Sequence, residues 1–277
     1  KIGDKMLRGK DATLVAIIKM IIETEPETQD DIAKKLNISR RYVAKLIKPL
    51  VDKKIIKHPY IVDMDKLSKL DLYDDVDKPL NNIIDLYGKM ANNVLYNLNK
   101  TFKSLKINDI ETAKGVIAQD YRLNRMEEEI GVSIKMNSLR YLPMEQSMRL
   151  SVIAANIERC GDYISNIAEE ITNGLKIDEQ LYNDVELLFN IITEMFELAM
   201  DMVKTNTSSY KIYELEEELH KTIDTILEKI SEKGCKSRYI SYYIQFGMFL
   251  KDIERFGDRC IKIFEASRDF YHNLKQQ

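Results

Sequence analysis

The sequence is poor in residues that interrupt helices or cross-link chains. Its 277 residues include five prolines, ten glycines, three cysteines and no tryptophan. Because proline and glycine break helices, their scarcity predicts long helices. The cysteines, Cys160, Cys235 and Cys260, form no Cys-x-x-Cys pair, which argues against a zinc finger and favours free thiols in a reducing cytoplasm. No apolar run approaches the roughly 20 residues that a membrane span needs, so we expect a cytoplasmic protein without one.

Charge is distributed unevenly along the chain. Residues 1–60 contain 14 Lys and Arg against 8 Asp and Glu, a net charge of +6, whereas the whole chain carries −3. A basic head on an acidic body predicts that only the N-terminal part of the protein meets a polyanion such as DNA.

Short helical and extended patterns fill residues 1–62. Apolar residues recur at helical spacing in the first two segments, Ser39 is a good N-cap for a third helix, and two short extended runs flank a turn. The order of these elements is that of a winged helix-turn-helix domain. Pro49 is expected to kink or end the third helix. The predicted elements are helices at 11–24 and 30–36, a third helix after Ser39, and strands at 55–57 and 60–62.

Basic residues cluster on the second and third helices of this domain. Arg40 and Arg41 lie at the start of the third helix, where a recognition helix presents its first turn to base edges. Nearby lysines are placed to meet phosphates, which position a protein without reading sequence. Alternatively, the domain serves as a protein or dimer contact and these charges are ordinary surface. The predicted DNA-binding residues are Ser39, Arg40, Arg41, Lys45, Lys48, Lys34 and Lys35.

The rest of the chain is predicted to be almost entirely helical. An acidic linker with six Asp and three Lys spans 63–78 and includes one helical turn around Leu67. The fold class is therefore mainly all-α, with a winged helix-turn-helix domain followed by two tandem three-helix bundles at 79–174 and 178–277. The predicted helices of the bundles lie near 79–105, 108–139, 143–173, 178–205, 210–232 and 237–272.

One motif occurs twice, 96 positions apart, in the last helix of each triplet. Ile-Glu-Arg-x-Gly-Asp runs from Ile157 to Asp162 and again from Ile253 to Asp258. Two triplets of equal size predict two similar bundles packed side by side. Glu158 and Asp162 share one helix face, where like charges repel. Either a bound cation or a facing Arg relieves that repulsion, or the face is a solvated acidic surface.

The two motif segments, Asn156–Glu169 and Asp252–Glu265, resemble the signature of the PhoU family of phosphate-uptake regulators. The resemblance covers about 79–277, and the preceding domain resembles the winged helices of archaeal DNA-binding variants. It implies two repeated three-helix bundles, a role in phosphate homeostasis and polynuclear metal sites. Fe, Zn, Mn or Mg are the ions that suit such oxygen-rich clusters.

Carried over residue by residue, the resemblance assigns metal ligands to both repeats. Asp120 matches a carboxylate of the family's second helix, and Asn124 stands where another carboxylate is usual. In the second repeat we place the matching positions at Ser209 and Tyr213, which makes that half degraded. A Glu-x-x-His pair beginning at Glu217 has di-iron spacing but lacks the further ligands that a di-iron enzyme needs. The expected metal ligands are Glu158, Asp162, Glu254, Asp258 and Asp120.

The combined features predict a regulator rather than an enzyme. No Gly-rich phosphate loop and no Ser/His/Asp or Cys/His set stands out in the sequence. The leading hypothesis is a DNA-binding regulator of phosphate uptake that acts as a homodimer, since two-fold DNA sites match two-fold proteins. The alternative is an adaptor that modulates a phosphate ABC transporter ATPase or a sensor kinase without binding DNA.

Overall fold

The computed structural model describes residues 9–57, 60–67, 70, 78–135, 144–234 and 240–276. The chain divides into two compact units, and the division along the first long helix falls after Ile83. No helix in the described ranges combines the length and the apolarity that crossing a bilayer requires.

The N-terminal unit has the predicted order of helix, helix, turn, helix and hairpin. Strand β1 pairs antiparallel with β2, with Ile56 opposite Val62. The isoleucines of the first helix, Ile17, Ile18 and Ile21, are fully buried in the core of this unit. The elements are α1 (Lys10–Thr24), α2 (Gln29–Leu36), α3 (Arg40–Asp52), β1 (Ile56–Lys57), β2 (Ile61–Val62) and α4 (Met64–Leu67).

Local capping fixes both ends of α2 and the start of α3. The Thr28 hydroxyl accepts from the Asp31 N–H at 3.2 Å and the Asp31 carboxylate accepts from the Thr28 N–H at 3.1 Å, which forms a capping box. Asn37, with φ of 53°, ends α2 in the left-handed region. The Ser39 hydroxyl then accepts from the Tyr42 N–H at 3.2 Å, so the predicted N-cap of α3 is confirmed.

Pro49 does not end α3, which continues to Asp52. Proline has no N–H and therefore removes a backbone hydrogen bond inside a helix, at a cost of about 3 kcal/mol. Buried Ile47 and Leu50 flank the proline and hold the last turn against the core. Tertiary packing therefore overrides the local preference to stop at Pro49.

Beyond the linker, the described chain is almost entirely helical. The predicted helix at 108–139 is in fact divided, because residues 118–120 form a turn, and its predicted part beyond 135 lies outside the described residues. The other predicted helices are confirmed in the described ranges, with ends that differ by a few residues. The elements are α5 (Lys78–Ile107), α6 (Ile110–Ile117), α7 (Tyr121–Lys135), α8 (Met144–Thr172), a 3-10 turn (Glu179–Leu181), α9 (Tyr182–Thr205), α10 (Lys211–Gly234) and α11 (Ile240–Gln276).

Helices α8 and α11, which carry the two motif copies, pack antiparallel. Arg149 donates to Asp269 at 2.9 Å, and Asn166 donates to Asp252 at 3.5 Å. The N-terminal part of α8 therefore lies beside the C-terminal part of α11, and the reverse holds at the other end.

Two cysteines are buried in these same helices. Cys160 and Cys260 are free thiols, and burial together with the neighbouring Cys160 raises the pKa of Cys260 well above its usual value. The predicted free thiols are confirmed at these two positions, whereas Cys235 lies outside the described residues.

The glycine of each motif copy allows one close helix contact. A Cβ on Gly161 would lie 2.1 Å from Cδ1 of Leu123, and a Cβ on Gly257 would lie 2.4 Å from Cδ2 of Leu219. The two leucines are 96 positions apart, as are the two glycines. Helices α7 and α10 therefore hold equivalent places in the two repeats, with the offset that the motif itself has.

Candidate metal centres and nucleic-acid interface

The outward face of α3 is basic. Arg41, Lys45 and Lys48 are exposed and, at about 100° per residue, lie opposite the buried Val43 and Ile47. A shallow groove runs along this face, and its lining is Ser39, Arg41, Tyr42, Ala44, Lys45 and Lys48. The structure thus brings four of the seven predicted DNA-binding residues onto one accessible surface.

The other three predicted residues lie beside this face. Arg40 is exposed and forms an ion pair with Asp30 of α2 at 3.2 Å, so its guanidinium turns toward α2. Lys34 and Lys35 are exposed in the last turn of α2. The hydrogen bond from Thr28 lowers the pKa of Asp31, and these two lysines add to that effect.

The first repeat gathers four carboxylates. Burial and then the charges of Asp162, Glu127 and Asp120 raise the pKa of Glu158 from 4.5 to about 7. Burial and Asp120 raise the pKa of Asp162. The carboxylates of Glu158 and Asp162 each affect the pKa of the other. These groups therefore form one acidic cluster, which contains the predicted ligands Glu158, Asp162 and Asp120.

The turn between α6 and α7 positions one member of this cluster. The Leu123 N–H donates to the Asp120 carbonyl at 3.0 Å, and the Ser165 hydroxyl donates to the Asp120 carboxylate at 3.0 Å. Glu127, which the sequence did not single out, lies two helical turns after Asp120. This spacing was the one feature of the sequence that pointed to Glu127 as a member of the cluster. Glu127 supplies a carboxylate, which the amide of Asn124 does not.

The second repeat holds a different cluster. One ligand atom from each of Glu216, His220 and Asp258 lies within 4.8 Å of the others. Burial raises the pKa of Glu216; His220 opposes this rise, and Asp258 and Glu265 add to it. A carboxylate, an imidazole and a second carboxylate form a donor set that suits Zn or Fe.

The predicted counterparts in the second repeat, Ser209 and Tyr213, were wrong. The offset of 96 that relates Leu123 to Leu219 instead pairs Asp120 with Glu216 and Asn124 with His220. Ser209 lies in the connection before α10. Tyr213 donates to Glu265 at 3.3 Å. The second repeat is therefore not degraded, and the offset already visible in the motif would have located both residues.

The remaining predicted ligand, Glu254, is held by a lysine. Lys251 donates to its carboxylate at 2.8 Å, one helical turn away. The position equivalent to Lys251 in the first repeat is Ala155. Glu158 therefore has no lysine at the place where Glu254 has one. The Glu217 carboxylate, considered above for di-iron spacing, pairs with Lys221 at 3.7 Å on an exposed surface.

Fold and site together define a two-part protein, a winged helix-turn-helix domain joined to a duplicated helical domain with an acidic cluster in each repeat. The PhoU domain matches residues 87–171 and 185–267, more than half of the chain, and the chain belongs to the PhoU family. The winged helix-turn-helix DNA-binding family matches residues 10–57.

Similar proteins support the same architecture. The chain is 51% identical over 271 residues to an uncharacterized protein of Methanocaldococcus jannaschii, which covers 98% of this chain and 94% of that protein. The crystal structure of PhoU from Pseudomonas aeruginosa matches with a TM-score of 0.65 at 19% identity, over 71% of this chain and 99% of its own. The phosphate transport system regulatory protein PhoU from Streptococcus pneumoniae matches with a TM-score of 0.57 at 18% identity, over 71% and 97%. At such identities the two crystal structures establish the fold alone.

Proposed function

We propose that this protein is a DNA-binding regulator of phosphate uptake or phosphate homeostasis. Its winged helix binds DNA, and its PhoU domain senses metal, phosphate status or a transporter partner. Membership of the PhoU family supports the phosphate role. The observation that carries the DNA-binding part is the basic outward face of α3, with Arg41, Lys45 and Lys48 exposed on one side.

The geometry of α3 suits a recognition helix. Its N-terminal turn is free of acidic residues and begins with Ser39, Arg40 and Arg41. A helix of this kind enters the major groove with its first turn toward the base edges. The ion pair between Arg40 and Asp30 is exposed, and such pairs are worth at most about 1 kcal/mol, so a DNA phosphate competes for Arg40.

The test is DNA binding measured by fluorescence anisotropy across salt concentrations. The 277-residue protein is expected to bind phosphate-transport promoter fragments, with affinity that falls steeply as salt rises. Arg41→Ala with Lys45→Ala should weaken binding and reduce the salt slope by about one for each lost phosphate contact. The matched control is Arg122→Ala with Arg125→Ala, which removes two exposed arginines from α7.

Two results contradict the proposal. One is a folded wild-type protein that binds no DNA at low salt, with or without added metal. The other is a variant with Arg41→Ala and Lys45→Ala that still controls phosphate uptake in cells, because an adaptor acting on a transporter ATPase or sensor kinase would not need these residues.

We also propose that the two acidic clusters bind metal ions. The donor chemistry fits, since burial and neighbouring carboxylates raise the pKa of both Glu158 and Asp162 and so disfavour their charged forms. A divalent cation would offset the repulsion between these carboxylates, and its binding would favour their deprotonated forms. In the first repeat Glu158, Asp162 and Asp120 would hold the ion. In the second repeat Asp258 would hold it with Glu216 and His220, and Glu254 would join them only if its ion pair with Lys251 opened.

Elemental analysis and calorimetric titration with Fe, Zn, Mn and Mg test the metal sites. Glu158→Ala with Asp162→Ala should remove the metal of the first repeat and leave that of the second. Asp258→Ala should do the reverse. Wild-type protein that retains no metal after incubation with any of the four would contradict the proposal and leave the clusters as salt-bridged or protonated surface.

A further inference from the structure

A cleft lies between the C-terminal half of α5 and the start of α6, within the helical unit of the chain. Its volume is about 370 Å³, in the range of small-molecule sites. Tyr96, Lys100, Lys103 and Ile107 follow one another at three- and four-residue spacing, so they share one face of α5. Tyr96 is 53% exposed and Ile107 is 72% exposed. We call this site the α5–α6 cleft, and its lining includes Tyr96, Lys100, Lys103, Ile107, Asp109 and Thr112.

The two lysines of the cleft carry charge that no carboxylate neutralises. The Lys100 ammonium lies 4.6 Å from the centre of the Tyr96 ring, and this cation–π contact holds the side chain in place without removing its charge. Neither Lys100 nor Lys103 pairs with a carboxylate among the residues that the structure describes. Residues 86–108 include four lysines and no acidic residue, although residues 61–277 carry −9, from −3 for the chain and +6 for residues 1–60. The cleft therefore attracts an anion.

The Asp109 carboxylate in the cleft is engaged by α6. It accepts from the Thr112 N–H at 3.1 Å and from the Thr112 hydroxyl at 2.6 Å, so it caps the first turn of this helix. These hydrogen bonds lower the pKa of Asp109. The positive end of the helix offsets part of the negative charge. Asp109 therefore acts as a structural cap and leaves the two lysines available to a ligand.

Helices α5 and α9 hold equivalent places at the start of the two repeats. Asn108 follows α5 with φ of 55°, and Asn206 follows α9 with φ of 54°. These asparagines are 98 positions apart, as are residues 87 and 185, where the two matched PhoU segments begin. Buried residues coincide at the same offset, for example Leu98 with Phe196. The motif helices have an offset of 96, because the connection after the first helix is two residues longer in the first repeat.

The second repeat has a different surface at the equivalent positions. At the offset of 98, Lys103 corresponds to Asp201 and Lys100 to Leu198, so the basic face of α5 is replaced by an acidic and an apolar residue on α9. Residues 206–210 connect α9 directly to α10, whereas in the first repeat α6 supplies part of the lining of the cleft. Residues needed only to hold a bundle together would be expected in both repeats. The difference therefore points to a binding role for the cleft of the first repeat.

The chemistry of the cleft fits a small phosphorylated ligand. Lys100 and Lys103 lie one helical turn apart and suit neighbouring phosphoryl groups, because lysine binds phosphate as a point charge. Tyr96 and Ile107 offer apolar surface, and an aromatic ring stacks on the π-face of any nucleobase. A concave site of this volume suits a small molecule better than it suits the broad, flat surface of a macromolecule.

We propose that the α5–α6 cleft binds a nucleoside phosphate, with its phosphoryl groups on Lys100 and Lys103 and its base against Tyr96 and Ile107. The inference goes beyond the proposed function, and it requires neither DNA binding nor metal binding.

The test is isothermal titration calorimetry of the 277-residue protein with ATP, with a chelator present so that the acidic clusters hold no metal ion. The wild type should bind ATP with a dissociation constant below about 1 mM. Lys100→Gln with Lys103→Gln should weaken binding by on the order of tenfold or more, because charge-assisted contacts to phosphate are lost. Tyr96→Ala should lower the affinity for ATP more than that for tripolyphosphate, which has no base. None of these side chains is buried, so the variants should fold as the wild type does.

Two control variants separate the cleft from other basic surfaces. Lys106→Gln with Lys114→Gln removes two charges from α5 and α6, but these lysines lie outside the lining and pair with glutamates. Arg41→Ala with Lys45→Ala removes charge from the outward face of α3. Both controls should bind ATP as tightly as the wild type.

Four results overturn the proposal. The first is a wild type that binds no ATP at millimolar concentrations. The second is ATP binding that survives the loss of Lys100 and Lys103, even where that variant loses affinity for DNA, because the face would then belong to a DNA interface. The third is ATP binding that disappears with Arg41 and Lys45. The fourth is equal affinity for ATP and tripolyphosphate, which would show that the base makes no contact. Failure of the wild type to bind DNA leaves the proposal intact.

Discussion

The two acidic clusters have one framework but different ways of managing charge. In each repeat the motif helix contributes a Glu and an Asp, and the preceding helix contributes a carboxylate at the equivalent position, Asp120 or Glu216. In the first repeat the carboxylates repel, and the pKa of Glu158 rises to about 7. In the second repeat Lys251 pairs with Glu254, and His220 favours the charged form of Glu216.

This difference gives the two clusters different sets of donor atoms. An all-oxygen cluster suits hard ions such as Mg and Mn, whereas a site with an imidazole suits Zn or Fe. In the first cluster Arg159 lowers the pKa of Asp162, but the pKa of Glu158 stays raised to about 7. Duplication therefore preserved the geometry of the site while its chemistry diverged.

The largest contrast should come from the variable residue of the motif, Cys160 in one copy and Phe256 in the other. Phe256 is fully buried and packs against Phe196 with ring centroids 5.7 Å apart. Phe256→Ala should lower the free energy of unfolding by about 3–5 kcal/mol, because it opens a large cavity. Cys160→Ala, its matched control in the other repeat, removes one buried atom and should cost about 1 kcal/mol. Denaturant unfolding measures both, and equal losses would contradict this contrast.

Much of the architecture was predictable because it is encoded locally. The cap at Ser39, the short strands and the helical spacing of apolar residues are visible within a few residues of each element. The motif repeats at one offset, which predicted the duplication. Long-range features were harder to predict. The turn at 118–120 interrupts a continuous helical pattern and brings Asp120 to Ser165, 45 residues away.

The misplaced ligands illustrate the same limit. Ser209 and Tyr213 lie seven residues before Glu216 and His220, the positions that the motif offset gives, and the packed contact between Leu219 and Gly257 fixes this register of α10. Glu127 was missed because its role depends on two helices meeting. Its neighbours Glu128 and Glu129 are exposed, and in the sequence only the seven-residue spacing from Asp120 sets Glu127 apart from them.

Exchanging His220 and Asn124 should exchange the metal preferences of the repeats. His220→Asn removes the imidazole from the second cluster. The Zn affinity of that cluster should fall by roughly 10- to 100-fold or more, because loss of a residue that merely hydrogen-bonds to a metal ligand already costs that much. Asn124→His places an imidazole at the equivalent position and should strengthen Zn binding by the first cluster. Competition titration against a zinc chelator measures both effects, and unchanged affinity in both variants would show that neither side chain binds the ion.

The close helix contacts at the motif glycines should be equally sensitive in both repeats. Gly161→Ala and Gly257→Ala each force a buried leucine to move, which costs about 1–3 kcal/mol, against a helix-propensity gain of up to about 1 kcal/mol. The expected net loss is about 1 kcal/mol in each case. Gly247→Ala is the control: a Cβ there meets nothing within 4 Å, so this change should stabilise α11. Thermal unfolding in the presence of a chelator measures the stability of the three variants relative to the wild type.

The smallest effect should appear in the pH dependence of metal-free protein. The pKa of Glu158 is near 4.5 in the unfolded chain and about 7 in the folded protein, so the folded state binds its proton more tightly. The free energy of unfolding therefore falls as pH rises from about 4.5 to 7. Glu158→Gln removes this loss of unfolding free energy. The variant should be as stable as the wild type near pH 4 and about 1 kcal/mol more stable above pH 7. This figure already allows for solvent screening of a half-buried group.

Glu254→Gln provides the contrast in the second repeat. It breaks the ion pair with Lys251, so at neutral pH it should leave stability unchanged or lower it by a few tenths of a kcal/mol. Urea unfolding of both variants across pH 4 to 8 is the measurement. If Glu158→Gln and Glu254→Gln stabilise the protein equally at high pH, the ion pair with Lys251 does not distinguish the two clusters. If Glu158→Gln stabilises the metal-free protein while Glu254→Gln does not, the repeats differ in the presence of an internal cation beside the motif glutamate.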